Sequence, residues 1–145
     1  MPDKSVSNVL EAHQLSKEVS SPEGTLTILK EVSFTVAAGE TVAVVGPSGA
    51  GKSTLLALLA GLDLPTRGHV DLNGANLSEL DEDGRALVRA ESVGFVFQSF
   101  HLVLSLNALE NVMLPLELAG HDDARRAARE IIDKVGLADR WSHYP

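Results

Sequence analysis

A glycine-rich run stands between an apolar run and a leucine-rich run, and this order of segments restricts the possible folds. Residues 41–45 read Thr-Val-Ala-Val-Val, and residues 46–53 read Gly-Pro-Ser-Gly-Ala-Gly-Lys-Ser. β-Branched residues without polar alternation are typical of a strand buried on both faces of a parallel sheet. Residues 53–62 predict a helix, because one face carries Leu55, Leu58, Leu59 and Leu62. We therefore predict an α/β protein in which a buried strand turns through glycines into a helix.

The glycine-rich run also carries chemistry, because it fits the pattern G-x-x-x-x-G-K-[ST] without a gap. Glycines reach backbone angles closed to other residues, so that consecutive N–H groups point at one oxyanion. The helix that follows adds the positive end of its dipole. Lys52 supplies a full charge for the β- and γ-phosphates, and the Ser53 hydroxyl is placed to bind Mg²⁺. We predict a site for ATP with Mg²⁺ formed by Gly46, Pro47, Ser48, Gly49, Ala50, Gly51, Lys52, Ser53 and Thr54. The alternative is a glycine-rich turn that carries a surface lysine and binds nothing.

The sequence on either side of this run predicts further strands. Apolar runs at 6–15 and 26–36 are separated by the turn residues 20–24. Residues 69–72 alternate as in a half-exposed strand and end at an Asn-Gly pair, which strongly favours a turn. Residues 93–97 predict one more short apolar strand.

Helices are predicted mainly from capping signatures. Ser78 with Asp81 resembles a capping box for a helix that ends near residue 90. Asn107 with Glu110 repeats the signature ahead of a helix to about residue 118, which Pro115 is expected to bend or divide.

A last helix is predicted to start at Asp122 as its cap, run to about residue 135 and stop at Gly136. The order of elements is therefore β-rich first, strand–loop–helix in the middle and mostly helical at the end.

Charge and composition exclude several classes of protein. The chain has 145 residues, a formal net charge of −8 and no cysteine. Binding to nucleic acid needs clustered Lys and Arg, so we expect no nucleic-acid partner. Without cysteine there is neither a disulfide framework nor a thiolate metal site. We also expect no signal peptide and no membrane-spanning helix, because the start lacks an apolar stretch and no apolar run approaches about 20 residues.

The glycine-rich run and the Leu-Leu-Ala-Leu-Leu-Ala-Gly-Leu after it resemble the ATP-binding domain of ABC transporters. Three further segments agree: residues 28–34 with 38–40 are similar to the strand-turn-strand before the loop, and residues 65–70 resemble the next strand. Residues 93–98 end in Gln98, which resembles the Q-loop glutamine. The resemblance implies a P-loop NTPase (RecA-like) core with an N-terminal antiparallel β subdomain at 1–97. It implies the Q-loop and the start of a helical subdomain at 98–145.

Residues 95–100 and 106–116 are most similar to the lipoprotein-release and macrolide-exporter group. This resemblance implies an ATPase subunit in the cytoplasm, on the inner face of the membrane, that works with a membrane permease and a second ATP-binding domain, as a homodimer. It also implies that Lys52 and Gln98 are catalytic, and that Ser53 and Gln98 lie at Mg²⁺. The other interpretation of Gln98 is a polar residue that ends a buried strand.

Three features depart from the family pattern. Val19 stands where an aromatic side chain commonly stacks on adenine, which leaves the preference for ATP over GTP open, and Leu104 replaces a frequent proline. The signature motif, the Walker B aspartate, the catalytic glutamate and the switch histidine do not occur before Pro145. We therefore expect an incomplete, truncated ABC ATPase domain that binds ATP without hydrolysing it. The full-length protein is expected to be an ATPase. We also expect an exposed apolar sheet edge that favours aggregation.

Two other functions remain possible at this point. A guanylate-type nucleoside monophosphate kinase has a similar loop, but about 45 residues precede the loop here and Tyr144 is the only tyrosine for a base pocket. A nucleotide-binding regulatory module without ATPase activity is the alternative from another class.

Overall fold

The computed structural model describes residues 7–22 and 24–145. The chain divides into two compact units, of which the first ends at Phe95 and the second comprises Val96–Pro145. Val6, where the first strand was predicted to begin, lies outside the described residues. The predicted domain boundary after residue 97 stays a prediction.

The first unit is built on an antiparallel sheet. Its strands are β1 (Asn8–Ser21), β2 (Gly24–Ala37), β3 (Arg67–Leu72) and β4 (Ala75–Asn76), in the order β2-β1-β3-β4. β1 pairs with β2 on one side and with β3 on the other. The predicted strands at 6–15, 26–36 and 69–72 are thus found among the described residues, and β1 extends further than its apolar run suggested. The unit also contains helices α1 (Lys52–Leu59) and α2 (Glu82–Ser92).

One face of this sheet and one face of α1 form the core of the first unit. Because side chains alternate along a strand, Val70 and Leu72 of β3 point into the core while His69 and Asp71 lie on the other face. Leu55 and Leu58 of α1 close the core. The buried apolar residues of the cluster are Ala12, Leu15, Leu29, Leu55, Leu58, Val70, Leu72 and Leu77.

The pairing of β1 is irregular in the middle, where Gln14 adopts φ 48° and Glu31 of β2 adopts φ 51°. The buried hydroxyl of Ser16 accepts a hydrogen bond from the Glu31 amide at 3.0 Å, and the hydroxyl of Ser33 accepts one from the Gln14 amide at 2.8 Å. Gly68 of β3 lies against the irregular part of β1, at His13 and Gln14. A Cβ atom there would overlap the carbonyl oxygen of His13.

Two predicted strands are not formed. Residues 41–45 and 93–97 have no regular secondary structure, and the exposed fractions of Val45 and Val96 are 87% and 103%. The predictions of a doubly buried strand before the loop and of a strand before Gln98 are therefore wrong for this structure. Among the described residues no strand lies beside either segment, so their backbone N–H and C=O groups have no ladder to join. Val44 alone of the first segment packs against the core.

The second unit is helical, with α3 (Ala108–Leu118), α4 (Ala124–Lys134) and a 3₁₀ turn at Ala138–Arg140. Leu109 of α3 packs against Ala128 and Ile132 of α4. The capping box is confirmed, because the Asn107 side chain accepts from the Glu110 amide at 3.0 Å and the Glu110 carboxylate accepts from the Asn107 amide at 2.8 Å.

Three details of the helix predictions need correction. Pro115 does not divide α3, which continues through it. The cap of α2 is Asp81 itself, which accepts from the Gly84 amide at 2.8 Å, so Ser78 is not the capping residue. The residue before α4 is Asp123 rather than Asp122, and its side chain makes no capping bond. Among the described helices, none is long and apolar enough to cross a membrane.

Candidate phosphate-binding site

The glycine-rich loop opens α1, and Gly51 is the residue at which the loop becomes a helix. Gly51 adopts φ 80° and ψ 10°, the left-handed conformation that glycine enters without a steric penalty. A Cβ atom on Gly51 would lie 3.0 Å from the carbonyl oxygen of Ile28 and 3.0 Å from Cδ2 of Leu29. The start of α1 therefore touches β2 so closely that both the backbone angle and the space require glycine.

The turn before Gly51 is tight and exposed. The Ala50 amide donates to the carbonyl oxygen of Pro47 at 3.2 Å, and Gly49 adopts φ 80°. A Cβ atom on Gly49 would meet nothing within 4 Å, whereas one on Gly46 would lie 3.4 Å from Cβ of Ala50. Gly49 is thus required for its backbone angle, and its open side leaves room for a ligand to approach the main chain.

The first amides of α1 have no acceptor in the described part of the chain. Gly51 has no side chain with which to cap the helix, and the first helical hydrogen bond recorded is Leu55 N–H to Gly51 C=O at 2.8 Å. The amides of Lys52, Ser53 and Thr54 therefore stay available, together with the positive end of the helix dipole. This arrangement fits an anion such as a phosphate.

The Lys52 ammonium is folded back onto the loop that precedes it. Its Nζ donates to the carbonyl oxygens of Gly46 at 2.9 Å and Pro47 at 2.7 Å. These two bonds hold the cation on the loop that leads into α1. Phosphate oxygens would compete with the two carbonyl oxygens for the same ammonium protons, and a charge-assisted bond to an anion is the stronger of the two.

The two residues after Lys52 differ in exposure. Ser53 is exposed on the first turn of α1, whereas Thr54 is half-buried. The Ser53 hydroxyl is accessible at the same helix end as the unpaired amides, as an oxygen ligand for Mg²⁺ would need to be. The loop residues predicted from the sequence, 46–54, thus form one continuous turn and helix start, with a donor set that suits a phosphate and a hard cation.

Gln98 belongs to the second unit and lies in an exposed segment without regular secondary structure. Its predicted contact with Mg²⁺ stays a prediction. Val19, at the position expected to lie near the base, is half-buried in β1 and pairs with Leu26 of β2.

Sequence reasoning missed one polar cluster altogether. His13 of β1 stacks on His69 of β3, with ring centroids 4.5 Å apart, and both rings lie near Asp71. The available signal was the spacing of two between Glu11 and His13 and again between His69 and Asp71, which places each pair on one face of its strand.

Comparison with known proteins agrees with the loop geometry. The model of the ABC transporter family matches residues 29–145. The uncharacterized ABC transporter ATP-binding protein YbbA of Escherichia coli K12 is 51% identical over 140 residues, which cover 95% of this chain and 61% of YbbA. The lipoprotein-releasing system ATP-binding protein LolD of Geobacter metallireducens is 46% identical over 142 residues, covering 97% and 63%.

A solved structure of the ATP-binding cassette MJ0796, a dimer in a post-hydrolysis state bound to ADP and Pi, superimposes with a TM-score of 0.86. It is 34% identical and covers 94% of this chain, which matches 61% of that cassette. The chain thus spans less than two thirds of the length of these relatives. The matches extend over nearly all of its own residues, and its fold is that of the corresponding part of an ABC ATPase cassette. The chain belongs to the ABC transporter family, and its sequence is that of an ATP-binding domain similar to those of the lipoprotein-releasing group.

Proposed function

We propose that this chain binds Mg·ATP through residues 46–54, as part of the ATPase subunit of an ABC transporter. The observation that carries the proposal is the start of α1. There the amides of Lys52, Ser53 and Thr54 have no acceptor among the described residues, and the Lys52 ammonium lies on the loop that leads into the helix. Family membership supports ATP as the ligand, and the geometry of the loop supports a site for its phosphates.

Binding would exchange two weak acceptors for a strong one. The Lys52 ammonium leaves the carbonyl oxygens of Gly46 and Pro47 and donates to the β- and γ-phosphate oxygens. The amides at the start of α1 donate to the same phosphates, and the Ser53 hydroxyl binds the cation. Bound Mg²⁺ neutralises phosphate charge. Because the protein carries a net charge of −8, this small preorganised site must overcome an unfavourable overall field.

For the whole protein we propose ATP hydrolysis that drives a membrane permease from the cytoplasmic face, in a pair of ATP-binding domains. The name of LolD, which describes a lipoprotein-releasing system, and the dimer of MJ0796 support this proposal. Gln98 would contact Mg²⁺ or the attacking water. The 145 residues on their own would bind ATP without turnover, since hydrolysis also needs an acidic Mg²⁺ partner and a group that positions water.

Calorimetry with Mg·ATP tests the site. Lys52→Ala is expected to weaken binding by about 10- to 100-fold, the equivalent of one lost charge-assisted hydrogen-bonding group. Lys30→Ala is the matched control, because Lys30 is an exposed lysine on β2 of the same unit and is expected to leave affinity unchanged. Equal loss in both variants, or no heat from wild-type protein whose circular dichroism shows a folded chain, would contradict the proposal.

A second measurement separates the cation from the phosphates. Ser53→Ala is expected to reduce the gain in ATP affinity that Mg²⁺ provides over EDTA, while ATP binding in EDTA stays the same. An unchanged Mg²⁺ dependence would remove Ser53 from the cation site. Phosphate release by the 145-residue chain, abolished in Lys52→Ala, would overturn the proposed lack of turnover.

A further inference from the structure

We infer that the solvent-facing side of the antiparallel sheet binds a divalent transition-metal ion of the Zn²⁺ class through His13, His69 and Asp71, with Glu11 beside His13. The site lies within the first unit and is independent of the phosphate-binding loop. It is composed of side chains that face away from the hydrophobic core.

The register of the sheet assembles the cluster. Glu11 is paired with Asp71 and His13 is paired with His69 across the β1–β3 ladder. Within each strand the two residues are two positions apart, so all four side chains lie on the same face. Their neighbours Ala12 and Val70 point into the core and fix this orientation, because a slip of one residue would bury the charged set.

The distances fit shared coordination better than direct hydrogen bonding. Nε2 of His13 and Nε2 of His69 lie 3.3 Å and 3.4 Å from the same oxygen of Asp71, and Nε2 of His13 lies 3.6 Å from Oε2 of Glu11. Charge-assisted N–H···O bonds are shorter, at about 2.7–2.9 Å. Two donor atoms on one tetrahedral Zn²⁺, with bonds of about 2.0–2.2 Å, lie about 3.3–3.6 Å apart.

The donor set also indicates which ion fits. The ligand atoms of His13, His69 and Asp71 all lie within 4.8 Å of one another, which is close enough for them to share one ion. Two imidazoles with a carboxylate suit Zn²⁺ or Ni²⁺, whereas Mg²⁺ prefers oxygen ligands alone. The imidazoles are 42% exposed and Asp71 is 28% exposed, which leaves a path for the ion from solvent. Bound metal would cross-link β1 to β3.

Calorimetric titration of the nucleotide-free chain with Zn²⁺ tests the inference. We expect one ion per chain. His13→Ala and His69→Ala should each weaken Zn²⁺ binding by at least about 10-fold, because even mutation of a residue that only supports a metal ligand lowers metal affinity by about that factor. His121→Ala is the matched control, because His121 is an exposed histidine of the second unit. That variant and Lys52→Ala should both keep the wild-type Zn²⁺ affinity. Excess Mg²⁺ should not compete.

Cobalt provides a readout that does not depend on a variant folding correctly. Wild-type protein with Co²⁺ should show the intense visible absorption of a tetrahedral complex, and equimolar Zn²⁺ should abolish it. The inference would be overturned if Zn²⁺ did not bind, or bound with a Kd above about 1 mM. Binding that survives both the His13 and His69 substitutions, or a loss of Zn²⁺ binding in Lys52→Ala, would also overturn it. Failure of ATP binding in the same preparation would bear on the loop alone.

Discussion

Two regions of the first unit that were both predicted to be strands have opposite structures. Strand β3 is six residues long, and its Val70 is 1% exposed within the sheet. The segment 41–45 is richer in β-branched residues, yet it forms no strand and its Val45 is 87% exposed. The difference is therefore not one of intrinsic β propensity.

The two regions differ in whether a neighbouring strand forms hydrogen bonds with their backbone. β1 meets β2 through a short connection and offers its other edge to β3, so each strand completes a ladder of hydrogen bonds. No strand lies beside 41–45 in the described part of the chain. A run of β-branched residues favours a pleated, buried surface, but the segment forms a strand only where a neighbouring strand pairs with its backbone. Four substitutions test this explanation.

The largest effect is expected from Gly68→Ala, at the closest approach of β1 and β3. Gly68 has φ 83°, and a Cβ atom there would overlap the His13 carbonyl oxygen and lie 2.5 Å from that of Gln14. Separating the strands should cost at least about 4 kcal/mol in free energy of unfolding, measured by urea denaturation. Gly74→Ala, at φ 82° with nothing within 4 Å, is the control and should cost about 1 kcal/mol. Equal costs would show that the ladder tolerates the displacement.

Leu58→Ala is expected to have the next largest effect, because Leu58 is 1% exposed where α1 packs on the sheet. Truncation should lower the free energy of unfolding by about 3 kcal/mol through lost burial and the cavity left behind. Leu56→Ala in the same helix, at a residue 53% exposed, should change stability by less than about 0.5 kcal/mol. Urea denaturation followed by circular dichroism distinguishes the two.

A substitution of Asp63 tests how much a surface ion pair adds to the free energy of unfolding, in comparison with the strand pairing. A hydrogen bond from the Lys17 ammonium, at 2.8 Å, lowers the pKa of the Asp63 carboxyl. Since the pKa of Asp63 is lower in the folded state, the contact stabilises the fold at pH values above the unfolded-state pKa of about 3.9. The contribution is lost as the pH falls through the folded pKa. With solvent screening we expect Asp63→Asn to cost less than about 1 kcal/mol at pH 7.

The same pair provides its own control. Lys17→Met should give a similar loss at pH 7, and the double variant should lose little more than either single one. Chemical denaturation between neutral and acidic pH should show the wild-type advantage declining with acid. A difference that grows with acid would reverse the assigned sign.

The smallest effect is expected from Val45→Lys, and it decides the comparison directly. In a strand buried on both faces this change would cost several kcal/mol. For the exposed side chain we expect a change within about 0.5 kcal/mol in urea denaturation. Because the segment exposes backbone hydrogen-bonding groups and apolar side chains, the added charge should also raise the concentration at which the chain self-associates, measured by light scattering. A large loss of stability would show that the segment is a buried strand after all.

Local signals were predicted well because their causes lie within a few residues. The capping box at Asn107 and Glu110 is present, and α4 is followed by Gly136 at φ 76°, as its position suggested. The position of the cap was misjudged at Ser78, since Asp81 offered an equally good side chain three residues later. Pattern reasoning locates a helix end to within a turn, and packing selects the residue.

The glycine-rich loop, which we propose as the phosphate site, could be predicted from the sequence alone. Its spacing of glycines and Lys52 is local, so the backbone angles and the charge follow from a few consecutive residues. The three-dimensional fold was needed to show that residues 41–45 have no neighbouring strand among the described residues, that Gly68 has no room for a methyl group, and that His13 faces His69. These three outcomes depend on which strands become neighbours and in which register, and that information lies in contacts between residues far apart in the chain.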